Sequence, residues 1–496
     1  MVTMIDSGST VRTTTGLVRG SAENGLAVFR GIPFAAPLPG DLRFAAPQPA
    51  EPWDGVRPAT SWGPPPPQSQ IFGPPSNPVT GDEWLTVNVW SPRVELGAGL
   101  PVMVWIYGGA YAFGHASDPA TDGARLAREG DVVLVTFNYR VGVEGFGSLQ
   151  GAPANRGLLD QVAALEWVRE NIAAFGGDPA RVTVFGESAG AGSIAALLAM
   201  PRAAGLFGRA ITQSVPGTFF SVPLADDIMA TIAKRLGREP SVDGLSGVSA
   251  AELVGASDAL SGAMLPYADR WGAVAHTSVP FSPVVDGEVL PRTPYDALAD
   301  GTGREVELIA GHNRDEYRLM LAITGRLGNV TDSDATAALE LLGPDGFREA
   351  YPDASAERLF ELVHSDWLFR MPSHRLAEAQ VAGGGRAYSY ELVWPSSGLG
   401  ACHGVDVPLV FGNLQQEHTA FLLGSESPAD IERVSQHFRT AWTTFAHTGD
   451  PGWPQYDETH RLVASIGTDL TITPYAEEQS RRLWANYDFA PLPLLG

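Results

Sequence analysis

The stretch "RVTVFGESAGAG", residues 181–192, decides the fold. It opens on a short apolar, β-branched run and stops at Gly186. It then shows one serine, Ser188, between small residues before a helix-forming segment, "AGAGSIAALLAM". A strand that turns sharply into a helix lifts the residue at the turn above the sheet edge. Side chains at Gly186 or Gly190 would collide where strand and helix approach. The Ala189 N–H lies at the helix N-terminus, where the dipole favours negative charge. Gly-Glu-Ser-Ala-Gly therefore fits the G-x-S-x-G nucleophile elbow, and the strand–turn–helix setting makes Ser188 the candidate nucleophile.

Working outward, the same alternation continues in both directions. "LTVNVW", "PVMVWIYGG" and "DVVLVTFNY" read as strands buried on both faces. In "GLLDQVAALEWVRENIAAFGG", Leu158, Val162, Leu165, Val168 and Ile172 recur at helical steps, and Gly176-Gly177 ends the helix. "GRAITQS", "EVELIAGHN" and "RAYSYELVW" return to strand, and "PADIERVSQHFRTAWTTFAHTG" is a late helix. The pattern predicts an α/β chain with a large, mostly parallel central sheet and helices on both faces. Ligands are then expected beyond the carboxyl ends of the strands. Near the N-terminus, Asn24-Gly25 signals a hairpin turn, so a β-hairpin is expected over about residues 9–31. The Pro- and Gly-rich stretch Ile32 to Pro78 carries Phe44, Trp53, Trp62 and Phe72, which argues for a loop packed on a core. Helical insertions are expected after about residues 220 and 330 of a single domain spanning 1–496.

Composition limits the partners. The 496 residues carry 33 basic and 56 acidic side chains, a net charge of -23, which repels nucleic acid and anionic lipid. No run of 18 apolar residues suggests a membrane span. The one cysteine, Cys402, forbids an intrachain disulfide, and no signal-peptide pattern opens the chain. A cytoplasmic protein is expected, with secretion left open, and a monomer or weak homodimer is anticipated.

An activated serine needs a base, and the base an orienting carboxylate, in the chain order serine, acid, histidine. Of ten histidines, His403 stands out, in a glycine-flanked loop, "GLGACHGVDVPLVFG", before an apolar segment. The acid candidates, Asp315 and Glu316, are adjacent in "IAGHNRDEYR", just past a strand, and spacing does not choose between them. "WIYGGAYAFG" supplies a glycine-rich turn after a strand, where backbone donors for an oxyanion belong.

These residues resemble the type-B carboxylesterases, the family of cholinesterases and bacterial para-nitrobenzyl esterases. The likeness is carried by "FRGIPFAAP", "LRFAAPQP", "TVNVWSP", "PVMVWIYGGAYAFG", "VTFNYRVGVEGF", "HGVDVPLVFGN" and, most specifically, the block from Asn155 to Gly190. It implies an α/β-hydrolase fold with a gorge over the active site, and hydrolysis of small-molecule carboxylic esters without a cofactor. It implies Ser188 as nucleophile, His403 as base, and Glu316 rather than Asp315 as acid. The implied oxyanion donors are Gly109, Ala110 and Ala189. Ala110, Glu144, Tyr317 and Trp84 depart from the family pattern without removing a catalytic atom. Two other readings keep the scaffold: the same triad acting on amides, carbamates, thioesters or lactones, and a binding protein without activity.

Overall fold

The computed structural model describes residues 9–71, 77, 79–415 and 419–496. Two short hairpins occupy the N-terminal region. β1 (Thr10–Arg12) and β2 (Leu17–Arg19) pair antiparallel and join β5 (Val56–Pro58) in a small sheet. β3 (Ser21–Glu23) and β4 (Leu26–Pro33) pair through the Asn24-Gly25 turn, where both residues have positive φ, 50° and 83°. Two successive positive φ values are what a tight hairpin turn requires, and Asn-Gly adopts them at least cost.

The second hairpin leads into the main sheet. Its further strands are β6 (Thr86–Ser91), β7 (Leu100–Ile106), β8 (Val133–Phe137), β9 (Gly177–Glu187), β10 (Arg209–Gln213), β13 (Glu307–Asn313), β14 (Ala387–Leu392), β15 (Leu462–Ile466) and β16 (Leu470–Pro474); β11 (Phe220–Ser221) and β12 (Val284–Val285) form a separate pair. The order across the sheet is β3-β4-β6-β8-β7-β9-β10-β13-β14-β15-β16. From β8 to β15 every neighbouring pair is parallel, and the edges are antiparallel. β7, β8, β13 and β14 are buried along their whole length, which explains their unbroken apolar sequences.

Two boundaries differ from the sequence expectation. The helix Arg156–Asn171 closes in a tighter turn, Ile172–Phe175, before Gly176 at φ 88° stops it. β9 begins at Gly177 rather than at Arg181, because Gly177 pairs with Leu100 across a register shift. The proline-rich loop lies on the core: Phe44 is buried, Trp53 and Trp62 pack against it, and Trp62 lies 5.9 Å from Trp90. Phe72 lies outside the described residues.

One polar contact fixes the block that follows β8. Arg140 and Asp160, both fully buried, form a two-pronged ion pair at 2.7 and 2.8 Å. A charge pair without solvent is tolerated only with such geometry and further bonds. Arg140 also donates to the Arg43 and Ala45 carbonyls.

Candidate active site

The elbow is built as its sequence demands. β9 runs into the helix Ala189–Ala199, and Ser188 at the junction has φ 54° and ψ −123°. For a residue with a side chain this conformation costs about 1–3 kcal/mol, and surrounding bonds must hold it. The Ser188 N–H donates to the Gln213 carbonyl at the end of β10, and the Ser188 carbonyl accepts from Gly192, both at 2.9 Å. A methyl on Gly186 would sit 2.6 Å from the Ile106 carbonyl oxygen and 2.9 Å from the Gly190 backbone; one on Gly190 would overlap the same carbonyl. Gly190→Ala is therefore expected to cost about 3 kcal/mol of stability, because backbone cannot yield as a flexible side chain would. A lowered urea midpoint checks it.

The loop after β7 lies against the serine. A methyl on Gly108 would come within 3.2 Å of Ser188 Cβ. Gly109 at φ 111° and Ala110 at φ 53° turn the chain there. Among the described residues, the N–H groups of Gly109, Ala110 and Ala189 donate to no acceptor. Three unmet donors beside one serine leave room for an anionic oxygen. The side chain at Ala110 leaves its backbone N–H as available as a glycine's would be.

His403 stands in the loop before the helix Asp406–Phe411. Its Nδ1 donates to Glu316 Oε2 at 2.7 Å. Glu316, fully buried just past β13, also accepts from Ser214 Oγ at 2.6 Å and from the Asn313 N–H at 2.8 Å, both through Oε1. Asp315 faces elsewhere: its Oδ2 accepts from the Ala401 N–H, and Arg314, Arg318 and Arg358 surround it. Of the two acids that spacing left open, the structure brings Glu316 to the imidazole. Ser214 and Glu187 were not singled out from sequence, although Glu187 lies inside the elbow motif.

Glu187 changes the electrostatics. Its Oε1 lies 3.1 Å from His403 Nε2. Among the described residues Ser188 Oγ makes no hydrogen bond, so Nε2 faces Glu187 before substrate enters. Catalytic contacts are commonly loose in an unliganded site. Burial carries Glu187 up to about 8, with His403 opposing and Asp406 and Glu316 adding. Burial works to lower His403, but the Glu187 charge and the Glu316 hydrogen bond outweigh it and carry it up to about 9. Both groups hold a proton more tightly than in water. An imidazole protonated at neutral pH cannot accept a proton, so an activity that uses His403 as its base is expected to rise through the alkaline range. Glu187→Gln removes a charge that favours the imidazolium. Its acid limb in kcat/KM against pH is expected to move down by about one unit.

Tyr111, Phe219, Phe220 and Trp394 all belong to the apolar core. Among the departures from the family pattern, Glu144 is buried against Arg43 at 2.5 Å, and Tyr317 stacks on His364.

Known proteins agree with this fold over almost the whole chain. A profile of the carboxylesterase family matches residues 7–484. The chain belongs to the carboxylesterase family. As a carboxylesterase it is 38% identical over 491 residues to the para-nitrobenzyl esterase of Bacillus subtilis, covering 95% of this chain and 97% of that protein. It is 34% identical to the phenmedipham hydrolase of Pseudarthrobacter oxydans, covering 92% and 94%. The crystal structure of the Geobacillus stearothermophilus carboxylesterase EST55 superposes with a TM-score of 0.86 at 35% identity, covering 96% of this carboxylesterase and 99% of that chain. The α/β-hydrolase fold and the class, a carboxylic ester hydrolase, follow. No described helix of the carboxylesterase is long and apolar enough to cross a membrane.

Proposed function

We propose that the chain hydrolyses small carboxylic esters, para-nitrobenzyl esters among them, through a Ser188–His403–Glu316 triad and an acyl-enzyme intermediate. Ser188 Oγ attacks the ester carbonyl while His403 Nε2, released from Glu187, takes its proton. Glu316 holds the Nδ1–H tautomer and balances the imidazolium. The carbonyl oxygen, now negative, accepts from Gly109, Ala110 and Ala189. His403 returns the proton to the departing alcohol, and water, deprotonated by the same nitrogen, releases the acid. The observation that carries this reading is the buried 2.7 Å contact between His403 and Glu316, beside a strained serine with three unmet donors. A fluorophosphonate probe tests it. Peptide mapping should find the label on Ser188 alone; a label elsewhere, or none, refutes the assignment. A cytoplasmic setting and a monomer or weak homodimer belong to the same proposal; the lone Cys402 is buried and unpaired, as suits a reducing compartment.

A further inference from the structure

The helices Ala356–Ser365 and Met371–Ala382 are joined by one wide π turn, Asp366–Arg370. The sequence reason is Pro372. In a regular helix its N–H would donate to the carbonyl of Leu368, but proline has no such hydrogen and its ring crowds that carbonyl. The Leu368 carbonyl instead accepts from the Gly217 N–H at 2.8 Å. A widened turn re-aims the side chains within it and recurs at functional sites.

The side chain re-aimed here is Phe369. Its ring centroid lies 4.0 Å from that of His403, with the planes 25° apart. Phe369 is 3% exposed, yet it stands outside the contiguous apolar core that holds its neighbours Trp367 and Met371. The turn is fastened from behind. Arg370, fully buried, lies 3.1 Å from Asp366 and 2.6 Å from Glu477. Ser480 Oγ donates to Asp366 at 2.5 Å, and the Trp367 indole donates to the Tyr487 hydroxyl at 3.1 Å.

We infer that Phe369 is a positioning residue for His403. The charged groups around the imidazole are Glu187 at the end of β9, Glu316 past β13 and Asp406 in the helix after His403. Glu187 and Glu316 meet its two nitrogens. Edge contacts fix where the nitrogens reach but let the ring rock about the line joining them. The Phe369 ring, packed on a face, restrains that motion. Its negative π face also favours the imidazolium formed as Ser188 loses its proton.

The inference rests on the triad proposed above, and the test separates the two. Phe369→Leu keeps the apolar cover and removes the π face; Phe369→Tyr keeps both. For the leucine variant, kcat is expected to fall about 3- to 10-fold with KM nearly unchanged. The acid limb of kcat/KM should move to lower pH by about half a unit, because the imidazolium loses support. The tyrosine variant should match wild type in both. Phe369→Met carries the same test if leucine disturbs the turn. A wild-type kcat and acid limb in the aliphatic variants overturn the inference. So does a fall in kcat with the acid limb in place, which makes Phe369 packing alone. His403→Ala is the control: retained activity there sinks the triad itself, whereas its loss beside an unaltered leucine variant sinks only the role of Phe369.

Discussion

Ser188→Ala is expected to lower kcat/KM on a para-nitrophenyl ester by about 10⁵-fold, while the protein stays folded. Nothing nearby can replace the hydroxyl. Ser214 gives its proton to Glu316, and Ser193, buried in the helix behind the elbow, accepts from Gln161. Alanine loses no hydrogen bond, since Ser188 Oγ makes none among the described residues, and it carries the same backbone strain at φ 54°. Thermal melts should therefore stay within about 2 °C of wild type, because no buried group is left unpaired. The oxyanion donors survive the change, so some acceleration over water persists. Activity above about a thousandth of wild type would exclude Ser188 as the nucleophile, since loss of a triad member is far more severe than that.

Strain gathers where this chemistry is proposed. Among the described residues nine with side chains have positive φ, and four of them, Ala110, Tyr111, Ser188 and Ser214, lie just past the carboxyl ends of β7, β9 and β10. These three strands are consecutive in the sheet. Each bend is held by the neighbouring chain: Ser188 donates to the Gln213 carbonyl, Ser214 to the Gly311 carbonyl, and the Tyr111 carbonyl accepts from Gly142. Parallel strands ending in register let one bent loop brace the next.

Much of this was legible in the sequence, for local reasons. The elbow announces itself because its two glycines stand four residues apart across one sharp turn, although the carbonyl that both must clear, that of Ile106, lies on β7. The buried strands announce themselves by unbroken apolar runs. What escaped depends on distant partners. Glu187 sits in the quoted motif, but its importance comes from an imidazole 216 positions later. Ser214 reads as the last polar residue of a strand, and only Glu316, brought alongside just past β13, gives it a task. The helix Arg156–Asn171 was read from its apolar stripe, whereas Arg156, Asp160 and Gln161 are buried too. Helical periodicity counts apolar residues and misses polar ones sunk by pairing. The π turn left one trace, Pro372, and a proline beside a helix is more often a start than a widened turn.

Glu316→Gln is expected to lower kcat by about 10⁴-fold with little change in KM, and the hydrogen bonds around Glu316 say why. Its Oε1 accepts from both Ser214 Oγ and the Asn313 N–H. A glutamine must keep its carbonyl oxygen at that position, because the amide nitrogen there would meet two donors. The NH₂ group is then forced toward His403 Nδ1. Two N–H groups cannot face each other, so the imidazole moves its proton to Nε2 and presents a donor, not a base, to Ser188. The forming imidazolium also loses its buried counter-charge. Asp315→Asn is the contrast, since Asp315 accepts from Ala401 and faces arginines, away from the imidazole. Its kcat should stay within about threefold of wild type, as for a change outside the charge-forming step. Steady-state kinetics of the two variants, with melts to show both are folded, decide between the adjacent acids. A Glu316→Gln loss smaller than about tenfold would mean the carboxylate neither fixes the tautomer nor balances the charge.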